Sequence, residues 1–184
     1  MKMAKKLLAL VLTGVMAMSM LTGCASISSR QVADELEGML KAANPKATVK
    51  AVDDDLAKKA VDAAKTDDGK LKAEATLKAD VKTALSKDNN DKYVWYDCFE
   101  TKKLTKGDKA QKIAKNMMLV TPFATEININ NAFNHSDVKI DGVAKIKAGN
   151  EFKLSMKEFS VGSGNNKVDY VMVVVTCKAV EVTA

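Results

Sequence analysis

The stretch Val168-Asp-Tyr-Val-Met-Val-Val-Val-Thr-Cys177 decides the fold of this chain. It is almost continuously apolar and rich in Val, which is typical of a strand buried on both faces. We therefore predict a strand over residues 167–182 at the centre of a sheet. A central strand needs a partner on each side, and the segments before it must supply both.

Four earlier segments carry strand patterns. An aromatic strand is predicted over 93–100, and others over 124–130, 137–148 and 151–161. Two turn sequences, Ala148-Gly-Asn150 and Gly162-Ser-Gly-Asn-Asn166, separate the last three predicted strands. Strands joined in this way predict an antiparallel meander.

The first half of the chain differs from the second, because every aromatic residue lies at or after position 93. Apolar spacing predicts helices over 29–43, 54–65 and 108–118, and 47–52 is a candidate short strand. Residues 70–87 alternate like a strand, but Ala and Lys are poor strand formers, so we interpret the segment as a helix. The predicted fold class is α+β: N-terminal helices followed by an antiparallel β-meander sheet.

The amino terminus has the layout of a secretory signal. Lys2, Lys5 and Lys6 form a basic start, an uncharged run follows to Met20, and Leu21-Thr-Gly-Cys24 comes next. An uncleaved membrane helix is the alternative, but the run lies at the short limit for a span.

Leu21-Thr-Gly-Cys24 resembles the lipobox of bacterial lipoprotein precursors. The resemblance implies that the thiol of Cys24 receives a diacylglyceryl group and that a peptidase cuts between Gly23 and Cys24. Two acyl chains suffice for stable anchoring, whereas one chain holds only marginally. The implied organisation is a signal peptide at 1–23, a lipidated tether at 24–30 and one α+β domain at 31–184. The implied partner is a lipid bilayer and the implied location is the extracytoplasmic face of the cell membrane.

Removal of the signal changes the charge. Its three lysines leave without any acid, so the formal net charge falls from +6 to +3. Lys and Asp are mixed along the mature chain, which is typical of a solvated surface and not of a nucleic-acid interface. We expect no nucleic-acid partner. The candidate partners are an anionic envelope polymer, a small ligand or a protein.

Cys98 and Cys177 are the cysteines that remain beside the lipidated Cys24. Outside the cytoplasm they can form a disulfide, or they can be buried thiols that behave as small apolar groups. A third interpretation makes one of them a nucleophile, with His135 as base and Asp137 as its orienting group. Asn and Asp around His135 are equally typical of a polar loop.

Tyr93 and Trp95 offer the one candidate ligand contact, a stacking surface for a sugar ring; the more usual role for such a run is the core of the sheet. The Asp-rich stretches at 53–55, 67–69 and 88–91 lack the calcium-loop framework and are typical of caps and turns. We expect no metal site and no cofactor. The sequence thus favours a non-catalytic binding or interaction module on a lipid anchor, with a cell-envelope enzyme, hydrolytic or thiol-dependent, as the alternative.

Overall fold

The computed structural model describes residues 27–87, 89–104, 108–118 and 129–183, and these contain four α-helices and four strands. The predicted signal and Cys24 lie outside the described residues. The elements are α1 (Ser29–Lys41), β1 (Thr48–Ala51), α2 (Leu56–Ala64), α3 (Glu74–Ser86), β2 (Lys92–Glu100), α4 (Lys109–Met117), β3 (Ile146–Val161) and β4 (Val168–Glu181). Short 3-10 turns occupy Thr101–Leu104, Ile129–Asn131 and Gly164–Asn166.

The sheet has the strand order β1-β3-β4-β2. β4 pairs antiparallel with β3 on one side and with β2 on the other. Residues 171–177 of β4 are all buried. The prediction that this apolar strand lies inside the sheet is confirmed.

Helices cover both faces of the sheet. Alternation along β4 sends Val171, Val173 and Val175 into a core with α1 and α4, which we call the α1–α4 face. Met172 and Val174 enter a second core with α2 and α3, the α2–α3 face. The two-sided burial of β4 follows from this layering, because each face of a buried strand must meet apolar side chains.

The helices form where their sequences predict them. Ser28 caps α1, its hydroxyl accepting from the N–H of Gln31 at 3.4 Å, and Asp108 caps α4 through the N–H groups of Ala110 and Gln111. The ambiguous segment 70–87 is helical from Glu74 to Ser86, which confirms the helix interpretation.

The predicted antiparallel meander is wrong, although the α+β class holds. β1 pairs parallel with β3, so the sheet is mixed. β2 pairs with β4, and not with β1 or β3, the strands that come next to it along the chain. A parallel pair requires a long crossover. Here the whole chain between Ala51 and Ile146, including three helices and β2, separates the two partners.

The strand boundaries near residue 148 also differ from the prediction. Residues 137–145 are turns and irregular chain, and β3 begins only at Ile146. The predicted turn at 148–150 is instead an irregularity inside β3, where the register shifts between Ala148 and Phe152. Gly149 fits there because a Cβ would lie 3.1 Å from the carbonyl oxygen of Lys178. Of the predicted strand 124–130, residues 124–128 lie outside the described residues, and Ile129 and Asn130 belong to a 3-10 turn.

Within the described ranges, no helix has both the length and the apolar composition that crossing a bilayer requires.

Candidate functional site

The aromatic residues of β2 belong to the core. Tyr93 is 2% exposed and Trp95 is 4% exposed, both on the α1–α4 face. The ring centroid of Trp95 lies 6.3 Å from that of Tyr93 and 6.2 Å from that of Phe152. Rings covered in this way cannot stack on a ligand, so the candidate ligand contact at Tyr93 and Trp95 is not formed in this structure.

The two cysteines are not brought together. Cys98 lies opposite Met172 on the α2–α3 face, whereas Cys177 lies opposite Tyr93 on the α1–α4 face. Met172, the partner of Cys98, and Cys177 are five positions apart in β4, which is about 16 Å along the strand. A disulfide needs roughly 4.4–6.8 Å between its two Cα atoms. Both thiols are free, and the disulfide interpretation of Cys98 and Cys177 is corrected to that of separate thiols.

Both thiols are held in their neutral form. Burial raises the pKa of Cys98 to about 12, and the neighbouring carboxylate of Asp97 adds to the shift. Burial also raises the pKa of Cys177 to about 12. At pH 7 both thiols are therefore protonated, which is the opposite of what a cysteine nucleophile needs.

His135 lies in an exposed turn, and its ring is stacked on that of Tyr93 with centroids 6.2 Å apart. Tyr93 and Cys98 face opposite sides of the sheet, so His135 and Cys98 do not form a catalytic pair. The carboxylate of Asp137 accepts from the hydroxyl of Ser136. The polar-loop interpretation of this segment describes it correctly.

The buried polar side chain among the described residues of this loop is Asn134, which is 4% exposed. Its Oδ1 accepts from the N–H of Val94 at 2.9 Å, and its Nδ2 donates to the carbonyl of Lys92 at 2.7 Å. The N–H of Phe133 also donates to the carbonyl of Val94 at 3.3 Å. The loop thus covers the edge of β2 that does not pair with β4, and it satisfies backbone groups of Lys92 and Val94 there. Sequence reasoning missed this role, because one Asn among several polar loop residues carries no local signal for it.

One end of the sheet gathers the start of the described chain and the β3–β4 turn. The N–H of Ile27 donates to Oε1 of Glu158 at 2.6 Å. Asp169 accepts from the hydroxyl of Ser160 at 2.6 Å and from Nζ of Lys167 at 3.2 Å, and these two bonds lower the pKa of its carboxyl. We call this the hairpin-end surface; it surrounds a cleft lined in part by Ile27, Thr101, Lys109, Glu158, Ser160 and Asp169.

The opposite end of the sheet carries a second cleft, which we call the loop-end surface. It is lined by Asn90, Asp91, Lys139, Ile140 and Asp141. The N–H of Lys139 donates to the carbonyl of Asn90, and the N–H of Ala179 donates to that of Asp91. Val180 and Val182 lie nearby in the chain and are 37% and 40% exposed, the exposed large apolar side chains of the described residues.

No protein-family model, curated protein or solved structure matches this chain.

The acidic stretches act locally. Oδ1 of Asp54 accepts from the N–H of Leu56 at 3.1 Å, where α2 begins, and Asp68 bonds Thr66 and Lys70 within its own turn. In the part of the chain that the structure describes, no group of three or more His, Cys, Asp or Glu residues is placed to hold a metal ion. The first two Asp-rich stretches are therefore a helix start and a turn, as predicted.

Proposed function

We propose that this chain is a bacterial lipoprotein, tethered through diacylglyceryl on Cys24 to the extracytoplasmic face of the cell membrane. We further propose that its domain acts there as a non-catalytic binding or interaction module. The observation that carries the proposal is the lipobox-like Leu21-Thr-Gly-Cys24, three residues before the first described residue, Ile27.

The geometry around Ile27 supports this interpretation. Ile27 is bonded to Glu158, and Ser28 immediately caps α1. The fold therefore starts almost directly after Cys24, with no room for a long spacer. An anchor placed so close to the domain keeps the hairpin end of the sheet next to the membrane surface.

This placement turns the loop-end surface away from the membrane. β3 runs from Ile146 at that end to Val161 at the hairpin, about 50 Å of extended chain. The exposed Val180 and Val182 and the polar cleft beside Asp91 then face the aqueous side. A surface of this kind suits contact with a ligand or partner of the envelope.

The state of the thiols disfavours a thiol-dependent enzyme. A nucleophilic cysteine needs a lowered pKa and access to substrate. Cys98 and Cys177 instead have pKa values raised to about 12 by burial. We therefore favour binding over thiol catalysis.

Metabolic labelling tests the anchor. We would express the full chain in a bacterial host with radiolabelled palmitate and compare wild type, Cys24→Ala and the control Cys98→Ala. We expect label and a mature amino terminus at residue 24 in the wild type and the control, and an unlabelled precursor in Cys24→Ala. Label on Cys24→Ala, or an amino terminus elsewhere, would overturn the lipoprotein proposal.

Complementation tests the non-catalytic role. In a bacterium that carries the gene, a deletion strain would receive wild-type, Cys24→Ala, Cys98→Ala or His135→Gln copies. We expect Cys98→Ala and His135→Gln to restore the wild-type phenotype and Cys24→Ala to fail. Failure of His135→Gln at normal protein level would favour the enzyme alternative.

A further inference from the structure

The position of Ile27 fixes which part of the domain meets the membrane, provided that Cys24 is lipidated as proposed above. Two residues, Ala25 and Ser26, lie between Cys24 and Ile27, so three Cα–Cα steps join them. Their greatest reach is about 10 Å. The headgroup layer on one side of a bilayer is about 5–7 Å thick. The hairpin-end surface must therefore lie at or within a few ångströms of the lipid headgroups.

The carboxylates of this surface are already occupied by partners. Glu158 accepts from the N–H of Ile27, and Asp169 accepts from Ser160 and Lys167. Oε2 of Glu100 pairs with Nζ of Lys103 at 2.8 Å. Lysines thus balance the charges of Glu100 and Asp169, whereas Glu158 keeps its negative charge, because its partner is an uncharged N–H.

Two cations on the same surface are left over. Lys109 lines the cleft, and Lys102 lies near enough to help lower the pKa of Asp169. Neither ammonium forms an ion pair with another residue of the described ranges. The turn between β3 and β4, Gly162-Ser-Gly-Asn-Asn166, contains no acid that would repel an anionic surface. Among the described residues that line or border this cleft, Lys102 and Lys109 thus outnumber Glu158, the lining acid that has no cation partner.

We propose that the hairpin-end surface docks on anionic phospholipid headgroups, with Lys102 and Lys109 as its principal contacts. The acyl chains hold the protein to the bilayer, and the lysines set how the domain stands on it. Each basic residue close to an anionic membrane strengthens its attachment about fivefold, and salt weakens this term. Docking keeps the loop-end surface pointed outward and does not change the affinity of the anchor itself.

Lysine footprinting on the lipidated protein tests this proposal. The mature lipoprotein would be reconstituted in vesicles of phosphatidylcholine alone or mixed with phosphatidylglycerol, then treated with an amine-acylating reagent. We expect Lys102 and Lys109 to react at least about fivefold more slowly in the anionic vesicles. Lys139 and Lys145, exposed at the other end of the sheet, should react equally in both. High salt should abolish the difference.

A variant pair adds a second readout. In anionic vesicles, the double variant Lys102→Gln/Lys109→Gln should raise the acylation rate of Lys167 to the rate that it has in neutral vesicles. The control Lys139→Gln/Lys145→Gln should leave the acylation rate of Lys167 unchanged. Equal labelling of Lys102 and Lys109 in both vesicle types would overturn the docking proposal alone. Equal protection by a soluble anionic wall polymer without vesicles would also overturn it, in favour of polymer binding. Absence of lipid on Cys24 would overturn this proposal and the proposed function together.

Discussion

The N–H of Ile27 donates a hydrogen bond to Oε1 of Glu158, 131 residues further along the chain, at 2.6 Å. This contact joins the start of the described chain to β3, three residues before that strand ends. A charge-assisted bond of this kind is stronger than a neutral one. It therefore helps to fix the position of α1 relative to β3, close to the proposed lipid anchor at Cys24.

The separation of Cys98 from Cys177 predicts two free thiols in the folded protein. In a chain with Cys24→Ser, purified without reductant, we expect no loss of two hydrogens in the intact mass. Alkylation at neutral pH should be very slow for both, and two groups should react after unfolding. The native rate should rise about tenfold per pH unit, since the pKa of each thiol is raised to about 12. A mass lower by two hydrogens would contradict the pairing of β2 with β4 that keeps the two thiols apart.

The Asn134 contacts predict a large loss of stability on truncation. Asn134→Ala leaves the N–H of Val94 and the carbonyl of Lys92 without their partners, so we expect unfolding free energy to fall by about 1–3 kcal/mol. Asn131→Ala, exposed in the same loop, should cost less than about 0.5 kcal/mol. Urea unfolding followed by circular dichroism measures both. Equal midpoints for the two variants would show that the loop does not cover the edge of β2.

Alanine substitutions at two glycines are expected to change the folding stability in opposite directions. Gly162 has φ +82°, and a Cβ there would lie 2.5 Å from the carbonyl oxygen of Asn166, so Gly162→Ala should destabilise by roughly 2 kcal/mol or more. Gly38 lies inside α1 with nothing within 4 Å of an added Cβ. Gly38→Ala should therefore stabilise by about 0.5–1 kcal/mol. Thermal unfolding of the pair checks the signs, and a stabilising Gly162→Ala would disprove the turn geometry.

The contacts of Glu37 predict that its carboxylate contributes to the loss of folding stability at low pH. Its carboxylate accepts from Nζ of Lys41 and from the N–H of Val49, and these bonds lower its pKa below the ordinary value. A group with a lowered folded-state pKa stabilises the fold above its unfolded pKa, and that stability is lost as pH falls through the folded pKa. We expect Glu37→Gln to flatten the decline in stability as the pH falls below the ordinary pKa of a glutamate.

The matched control for this experiment is Asp34→Asn, which changes an exposed acid on the same helix. Urea midpoints measured at each pH should decline for Asp34→Asn as they do for the wild type. A Glu37→Gln profile parallel to the wild-type profile would contradict the contribution assigned to this carboxylate.

Local patterns predicted the helices and the inner strand, but of the strands expected over 124–130 and 137–148, residues 129–130 and 137–145 form no strand. Val171–Val175 identified the inner strand, because burial on both faces leaves an unbroken apolar run. The helices followed from apolar spacing and from caps such as Ser28 and Asp108. These features depend on residues a few positions apart, which a single sequence displays.

Pairing between distant segments could not be predicted in the same way. Nothing local in Thr48–Ala51 indicates a parallel partner at Glu151–Leu154, and Gly149 is typical of a turn until the approach of Lys178 shows that it lies in a strand. The candidate site failed for a related reason. Whether Cys98 and Cys177 share a face depends on the offset between β2 and β4, and that offset is set by tertiary packing.

The position of β4 in the chain has a consequence for biogenesis. β4 joins β2 to β3, and all of its partners precede it in the sequence. During synthesis the earlier strands have no β4 to pair with, so the complete sheet can form only after residues 168–181 have been made. Until then, β2 and β3 lack the strand that joins them, so the sheet cannot be completed from the earlier segments.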